Sequence, residues 1–206
     1  MEVLARGGCM IITFIDTETT GLDLVDHDVI DFAALQVSWD RETNKTNIIS
    51  QYTTKIKSDN MKFASPQALK INHYNEGDWV EAPYGFEVSG AIKQIIDRSL
   101  MIVGQNVIFD YRFINKIFDN SSRQRPDWGK YFDTKHMADQ LVHDKKLKKS
   151  SLDYTCKHFK IKNVGRPHTA MCDVLRTFEL FKILAPQTDL VMFDFNNPYD
   201  PYKDKK

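Results

Sequence analysis

The sequence predicts an α/β fold, a mixed β-sheet with an antiparallel hairpin and helices packed on it. Three observations carry this. Met10 to Ile15 (MIITFI) is an apolar run, the pattern of a buried strand. Two stretches rich in β-branched and aromatic residues follow, Val29 to Trp39 and Ile48 to Ile56, and the polar segment Asp40 to Asn47 between them reads as a hairpin loop. Beyond them, segments of helical spacing interleave with short apolar runs.

Taken in order, Ser65-Pro66 opens a short helix with Pro at its first position. Val88 to Ile96 has helical spacing, and Leu100 to Val103 is a short strand ended by Gly104. Val107 to Phe118 and Thr134 to Val142 are helical. Ser150 precedes Leu152, Cys156 and Phe159, a capped helix start with Asp153 three residues on. The last helix runs from about Thr169 to Leu184. After Pro186 the chain changes character, and Asn196 to Lys206, rich in Pro, Asp and Lys, reads as a mobile tail. The organisation is an N-terminal extension (1–9), one domain (10–185) and a C-terminal tail (186–206). Met10 offers a second start. There is no internal repeat and no Ser/Gly linker.

Composition bounds the class. The chain has 206 residues, one domain at about 150 residues each. Hydrophobic residues are 42% and charged residues 27%, with 9 Gly and 7 Pro, which excludes a disordered or fibrous chain. No apolar run approaches the roughly 18 residues of a membrane span, and the first ten residues lack a signal-peptide core. The expectation is a soluble, cytoplasmic protein. Its three cysteines, Cys9, Cys156 and Cys172, are too few and too far apart for a disulfide framework or a Cys-based zinc site.

Net charge is zero, with 28 basic and 28 acidic residues, but the charges are segregated. Residues 16–31 hold six Asp or Glu and no Lys or Arg, whereas residues 141–182 hold ten Lys or Arg against four Asp or Glu. That split suits an anionic polymer held through cations; two solvated faces of opposite sign give the same count.

Four carboxylates sit where acids are costly. Asp16 and Glu18 end the first apolar run and, two apart on a strand, point to one face. A cation removes both their repulsion and their desolvation cost. Asp110 lies on the apolar stripe of Val107, Tyr111, Ile114 and Phe118. Asp173 borders the buried sector of the last helix, where the first turn also favours an acid. His168 precedes it by five residues, which on one helix would set the two about 140° apart; it reads instead as a loop residue before an N-cap Thr169. Oxygen ligands with one His and no Cys favour magnesium or manganese over zinc, and two such ions clamping a phosphodiester suit in-line displacement.

The segment Phe14-Ile15-Asp16-Thr17-Glu18-Thr19-Thr20-Gly21-Leu22 closely resembles the first motif of DnaQ-like 3′→5′ exonucleases. Gln105-Asn106-Val107-Ile108-Phe109-Asp110 resembles their second motif, and His168-Thr169-Ala170-Met171-Cys172-Asp173 their third. Ser151-Leu152-Asp153-Tyr154 stands where the family carries a similar segment. The likeness spans roughly Met10 to Leu184, and Thr169, where a sister branch carries Tyr, points to the His branch, DEDDh.

The resemblance implies a ribonuclease H-like mixed β-sheet flanked by α-helices, with 10–185 as the exonuclease domain. It implies that Asp16, Glu18 and Asp173 hold the metal ion that carries the attacking water, that Asp16 bridges to a second ion (both Mg2+ or Mn2+) with Asp110 acting there, and that His168 is the general base. The product is a nucleoside 5′-monophosphate from the 3′ end of DNA, single-stranded or frayed. An RNA-trimming enzyme of the same superfamily, or a non-catalytic binding module, are the alternatives. Thr19, Leu22, Ile71 and His73 fall where the family meets the terminal nucleotide, and Asn106 where it braces the site. Phe109 reads as core. Lys157, Lys160, Lys162 and Arg166 either track the phosphate backbone or form a solvated face. Gln187 to Phe193 resembles the sliding-clamp-binding peptide of the bacterial proofreading subunit; the other reading is a segment folded back on the core.

Overall fold

The structure, a computed structural model, describes residues 9–188 and 191–195. Residues 1–8 of the extension, Asp189 and Leu190 of the clamp-like segment, and the tail from Asn196 lie outside the described residues.

Six strands form one mixed sheet in the order β3-β2-β1-β4-β5-β6. β1 (Cys9–Thr19), β2 (Val29–Asp40) and β3 (Lys45–Lys55) are an antiparallel meander. β4 (Met101–Gly104) runs parallel to β1, and β5 (Lys130–Asp133) parallel to β4. β6 (Phe193–Asp194) returns antiparallel on β5. The hairpin loop is tighter than the polar segment suggests: Asp40 pairs with Lys45, leaving 41–44 as the turn. The Asp40 carboxylate accepts the backbone N–H groups of Glu42 and Thr43, and the Trp39 indole donates to Asn44, so side chains specify a turn that polarity alone overestimates.

The helices are α1 (Pro66–Ile71), α2 (Glu76–Trp79), α3 (Gly85–Asp97), α4 (Val107–Asn120), α5 (Thr134–His143), α6 (Leu152–His158) and α7 (Ala170–Leu184). The Ser65 hydroxyl accepts from Ala68 N–H and starts α1. α2 and β5, four residues each, carry too few positions to show a period. α6 corrects the expected cap. Ser151, not Ser150, is the N-cap and makes no side-chain capping bond; Asp153 bonds Arg176 instead.

Strand alternation sends Ile12 and Phe14 to one face of the sheet and Thr13 and Ile15 to the other. The first face packs on α5 and α7, with Phe181 meeting the rings of Phe14, Trp39 and Phe132 at 5.1–6.0 Å. The second packs on α3 and α4. Both faces being covered explains why β1, β2 and β4 are largely apolar, whereas the edge strand β3 is mostly exposed. The chain after α7 folds back: Phe193 sits in β6 against Tyr131, and Phe195 is buried among Tyr111, Trp128 and Tyr131. Phe193, the apolar end of the clamp-like segment, is thus part of the sheet edge. Cys9, Cys156 and Cys172 are free thiols. Among the described residues no helix is long and apolar enough to cross a membrane.

Candidate active site

The site forms where β1 outruns its neighbour. β1 continues past β4, whose last partner on β1 is Phe14, so Asp16 and Glu18 lie beyond that parallel pairing on the face carrying Phe14 and α7. Opposite, β2 pairs Ala33 with Asp16 and Asp31 with Glu18. α7 brings Asp173, 7% exposed, to this face. α4 brings Asp110, 3% exposed, from the other face. Asp110 crosses to β1 through Thr17, whose backbone N–H (2.9 Å) and hydroxyl (2.6 Å) both donate to its Oδ1.

The α4 start is held by Asp133, at the end of β5, which accepts the N–H groups of Asn106 (2.9 Å) and Val107 (3.1 Å). Asn106 braces the site through its backbone, in left-handed conformation with φ +66°, while its side chain is exposed.

His168 is in the loop before α7, as expected, with φ +60°. Thr169 is the N-cap, yet its hydroxyl donates to Arg166 O, and the first N–H of α7, that of Ala170, is taken by Asp31 Oδ2 at 3.2 Å. Asp31 therefore ties β2 to the His168 loop. Glu18, His168 and Asp173 each turn one ligand atom inward, all within 4.8 Å of one another.

Burial and neighbouring carboxylates raise the proton affinity of Asp16 and Glu18. Burial first, then Asp110, Glu18, Asp173 and Asp31, lifts Asp16 well above its ordinary value. Burial and the neighbouring carboxylates of Asp173, Asp31 and Asp110 push Glu18 up to about 8. Burial takes Asp110 to about 7 against the lowering effect of Thr17, and Asp31 to about 6. Oxygen donors that repel one another in a recess fit a hard divalent cation, which relieves repulsion and desolvation together.

Around the acids, the Thr19 hydroxyl donates to Gly21 O (2.6 Å), and its carbonyl accepts from Asn72 Nδ2 (2.8 Å), joining β1 to the end of α1. The His73 ring donates to Pro167 O (3.1 Å), tying α1 to the His168 loop; its ring is thus engaged in holding that loop. Leu22 is 84% exposed and Ile71 42%. The loop carrying Leu22 is anchored by Lys116, which pairs with Asp28 (3.0 Å) and donates to the carbonyls of Val25 and His27. Phe109 packs on Phe113 at 4.6 Å. Lys157, Lys160, Lys162 and Arg166 are all exposed.

Asp16, Glu18, Asp110, His168 and Asp173 are thus brought to one recess from three separated segments. An exonuclease family model, RNase_T, matches residues 13–181, the stretch that carries all five. The chain belongs to the RNase_T exonuclease family. By class it is a 3′→5′ exonuclease. The chain is 27% identical over 194 residues to the DNA polymerase III subunit epsilon of Buchnera aphidicola subsp. Schizaphis graminum, covering 90% of this chain and 78% of that one. Among solved structures it is similar to the nuclease domain of 3′hExo, a DEDDh family member bound to rAMP (TM-score 0.71, 13% identity, 92% and 99% coverage). It is also similar to exonuclease X in complex with 5′ overhanging duplex DNA (TM-score 0.63, 22% identity, 85% and 92% coverage). These two share the RNase H-like fold seen here.

Four supporting residues escape the motif reading. Thr17, Asp31 and Asp133 hold Asp110 and the starts of α4 and α7, and their partners are set by register and tertiary packing. Arg176 was within reach, since it follows Asp173 by three residues and neighbours it on a helix surface. For Thr17, replacement by Val keeps the shape and deletes one of two donors to Asp110. With a buried hydrogen bond to a charged group worth about 1.5–3 kcal/mol, kcat should fall about tenfold with the fold intact by circular dichroism; an unchanged kcat would make the bond purely structural.

Proposed function

We propose that the protein hydrolyses DNA from single-stranded or frayed 3′ ends, releasing nucleoside 5′-monophosphates, with residues 10–185 as the catalytic domain. The observation that carries this is the convergence of Glu18, His168 and Asp173 within 4.8 Å beside Asp16 and Asp110. Two magnesium or manganese ions, when bound, neutralise charge on the scissile phosphate and the leaving 3′ oxygen and make water acidic enough to attack. Asp16, Glu18 and Asp173 would hold the first ion, with Asp16 shared and Asp110 on the second.

The chain's own groups do the rest. His168, with its side chain 43% exposed, reaches solvent and the recess at once, and takes the proton of the attacking water. The exposed Leu22 and Ile71 offer apolar surface to the terminal base, with the Thr19 backbone beside them. The cationic run Lys157, Lys160, Lys162 and Arg166 holds the phosphates behind it. The choice of DNA is supported by the bacterial relative's being a DNA polymerase subunit. The place of work is the cytoplasm.

The test is a time course on 5′-labelled DNA and RNA oligonucleotides of one sequence, with magnesium, then chelator, then magnesium restored. A ladder shortening from the 3′ end, faster on DNA and stopped by chelation, is expected. Faster decay of RNA would make the enzyme an exoribonuclease. Binding without cleavage of either would leave a binding module.

A further inference from the structure

Arg176 is a cation built into the wall of this recess. It is 3% exposed, although an arginine is almost never so buried without partners. Its two terminal nitrogens diverge. Nη1 donates to Asp173 Oδ1 at 2.8 Å, and Nη2 donates to Asp153 Oδ1. The second oxygen of each acid faces the same imidazole: Asp173 Oδ2 lies 3.9 Å from His168 Nδ1, and Asp153 Oδ2 lies 3.9 Å from His168 Nε2. Four side chains therefore close a ring in which the two acids alternate with the guanidinium and the imidazole, with His168 opposite Arg176.

Resting on the active-site reading above, we infer that Arg176 is a positioning residue: by bridging Asp173 and Asp153 it fixes the oxygen each presents and so seats His168 between them. Three features support this over a purely stabilising ion pair. First, Arg176 Nε, buried, has no hydrogen-bond partner among the described residues. The terminal nitrogens are divided between two acids rather than set bidentate on one, and Cys156 also lies against the guanidinium. Second, a buried ion pair is weak evidence of stabilisation, because desolvation offsets its attraction. Third, the Asp153 side chain is 64% exposed at the start of a short helix, and His168 sits at a loop end with φ +60°. Neither is packed in place, so the Arg176 tether is what keeps Asp153 beside the ring. It also occupies one oxygen of Asp173 and leaves the other for the recess. Lysine lacks the planar fork whose two separated nitrogens reach the two acids in fixed directions.

Arg176→Lys keeps the buried charge and the fold, and is the informative variant. On a labelled DNA oligonucleotide with magnesium, kcat should fall at least tenfold while KM stays within threefold and the melting temperature within a few degrees. Asp153→Asn should reproduce the loss, and the double variant should be no slower than Arg176→Lys alone, because both act through one bridge. In metal-free protein, the His168 ring resonances should shift alike in both single variants toward those of a free imidazole. A kcat within twofold of wild type, losses that multiply in the double variant, or unmoved His168 resonances would each overturn the inference. Asp173→Asn separates this from the site assignment: its inactivity beside a fully active Arg176→Lys sinks the positioning role alone, whereas its full activity sinks the site and this inference together.

Discussion

Asp16→Asn should abolish hydrolysis and, in the absence of metal, make the protein more stable at neutral pH. Both effects come from the same crowding. Asp16 neighbours Glu18, Asp110, Asp173 and Asp31, and it is the acid proposed to be shared between two ions. Its loss should lower kcat at least 10³-fold, about 4 kcal/mol of transition-state stabilisation at 1.36 kcal/mol per decade. The stability effect follows by linkage. In the unfolded chain these carboxyls ionise near pH 4. In the folded protein burial, joined at Glu18 by repulsion from neighbouring carboxylates, raises Glu18 to about 8, Asp110 to about 7 and Asp31 to about 6. Between those limits the folded state binds more protons than the unfolded one. Stability is therefore fully present below about pH 4 and is lost as pH rises toward about 8. Chelated wild type should melt lower at pH 8 than at pH 5, and magnesium should restore the loss. Asp16→Asn should flatten the profile and raise the metal-free melting temperature at pH 8 by about 3–6 °C, for relief of about 1.5 kcal/mol. A wild-type rate in the variant, or a metal-free stability that climbs from pH 5 to pH 8, contradicts the assignment.

His168→Asn should lower kcat 10²–10⁴-fold, the range of a lost general base, while leaving oligonucleotide affinity in magnesium within threefold. Asn is chosen because His168 has φ +60°, a conformation Asn adopts readily and Ala does not. The comparison then reads chemistry rather than backbone strain. Single-turnover kinetics measure kcat apart from product release, and fluorescence anisotropy on a non-hydrolysable oligonucleotide measures binding. Near-wild-type single-turnover rates at neutral pH would remove His168 from the proton transfer.

The catalytic constellation was legible in the sequence because its members break local rules. Asp16 and Glu18 end an apolar strand, Asp110 interrupts an apolar helical stripe, and His168 stands just before a helix start. Such violations survive when tertiary structure or function demands them. The supporting residues break no local rule. Thr17 is an ordinary strand residue, Asp31 belongs to an acidic run, and Asp133 is a typical N-cap; only the register of β1 with β2, or of β4 with β5, reveals what each one holds. Asp153 was misread for the same reason. A serine followed by an acid satisfies a capping pattern, but the buried guanidinium of α7 is a stronger partner than a backbone N–H at a solvated helix end. The short elements α2, β5 and β6 were hidden by length alone.

The return of β6 onto β5 carries a practical consequence for handling the protein. Phe195 closes a nest of Tyr111, Trp128 and Tyr131, with Phe193 beside it. A version trimmed to the last helix, ending near Thr188, would uncover that aromatic nest and leave β5 as a bare sheet edge, a template for strand pairing between molecules. Such a truncation should self-associate on concentration even though every catalytic group is retained. By covering that edge, Phe193 to Phe195 are expected to limit self-association, and light scattering of the trimmed and full chains at matched concentration measures it.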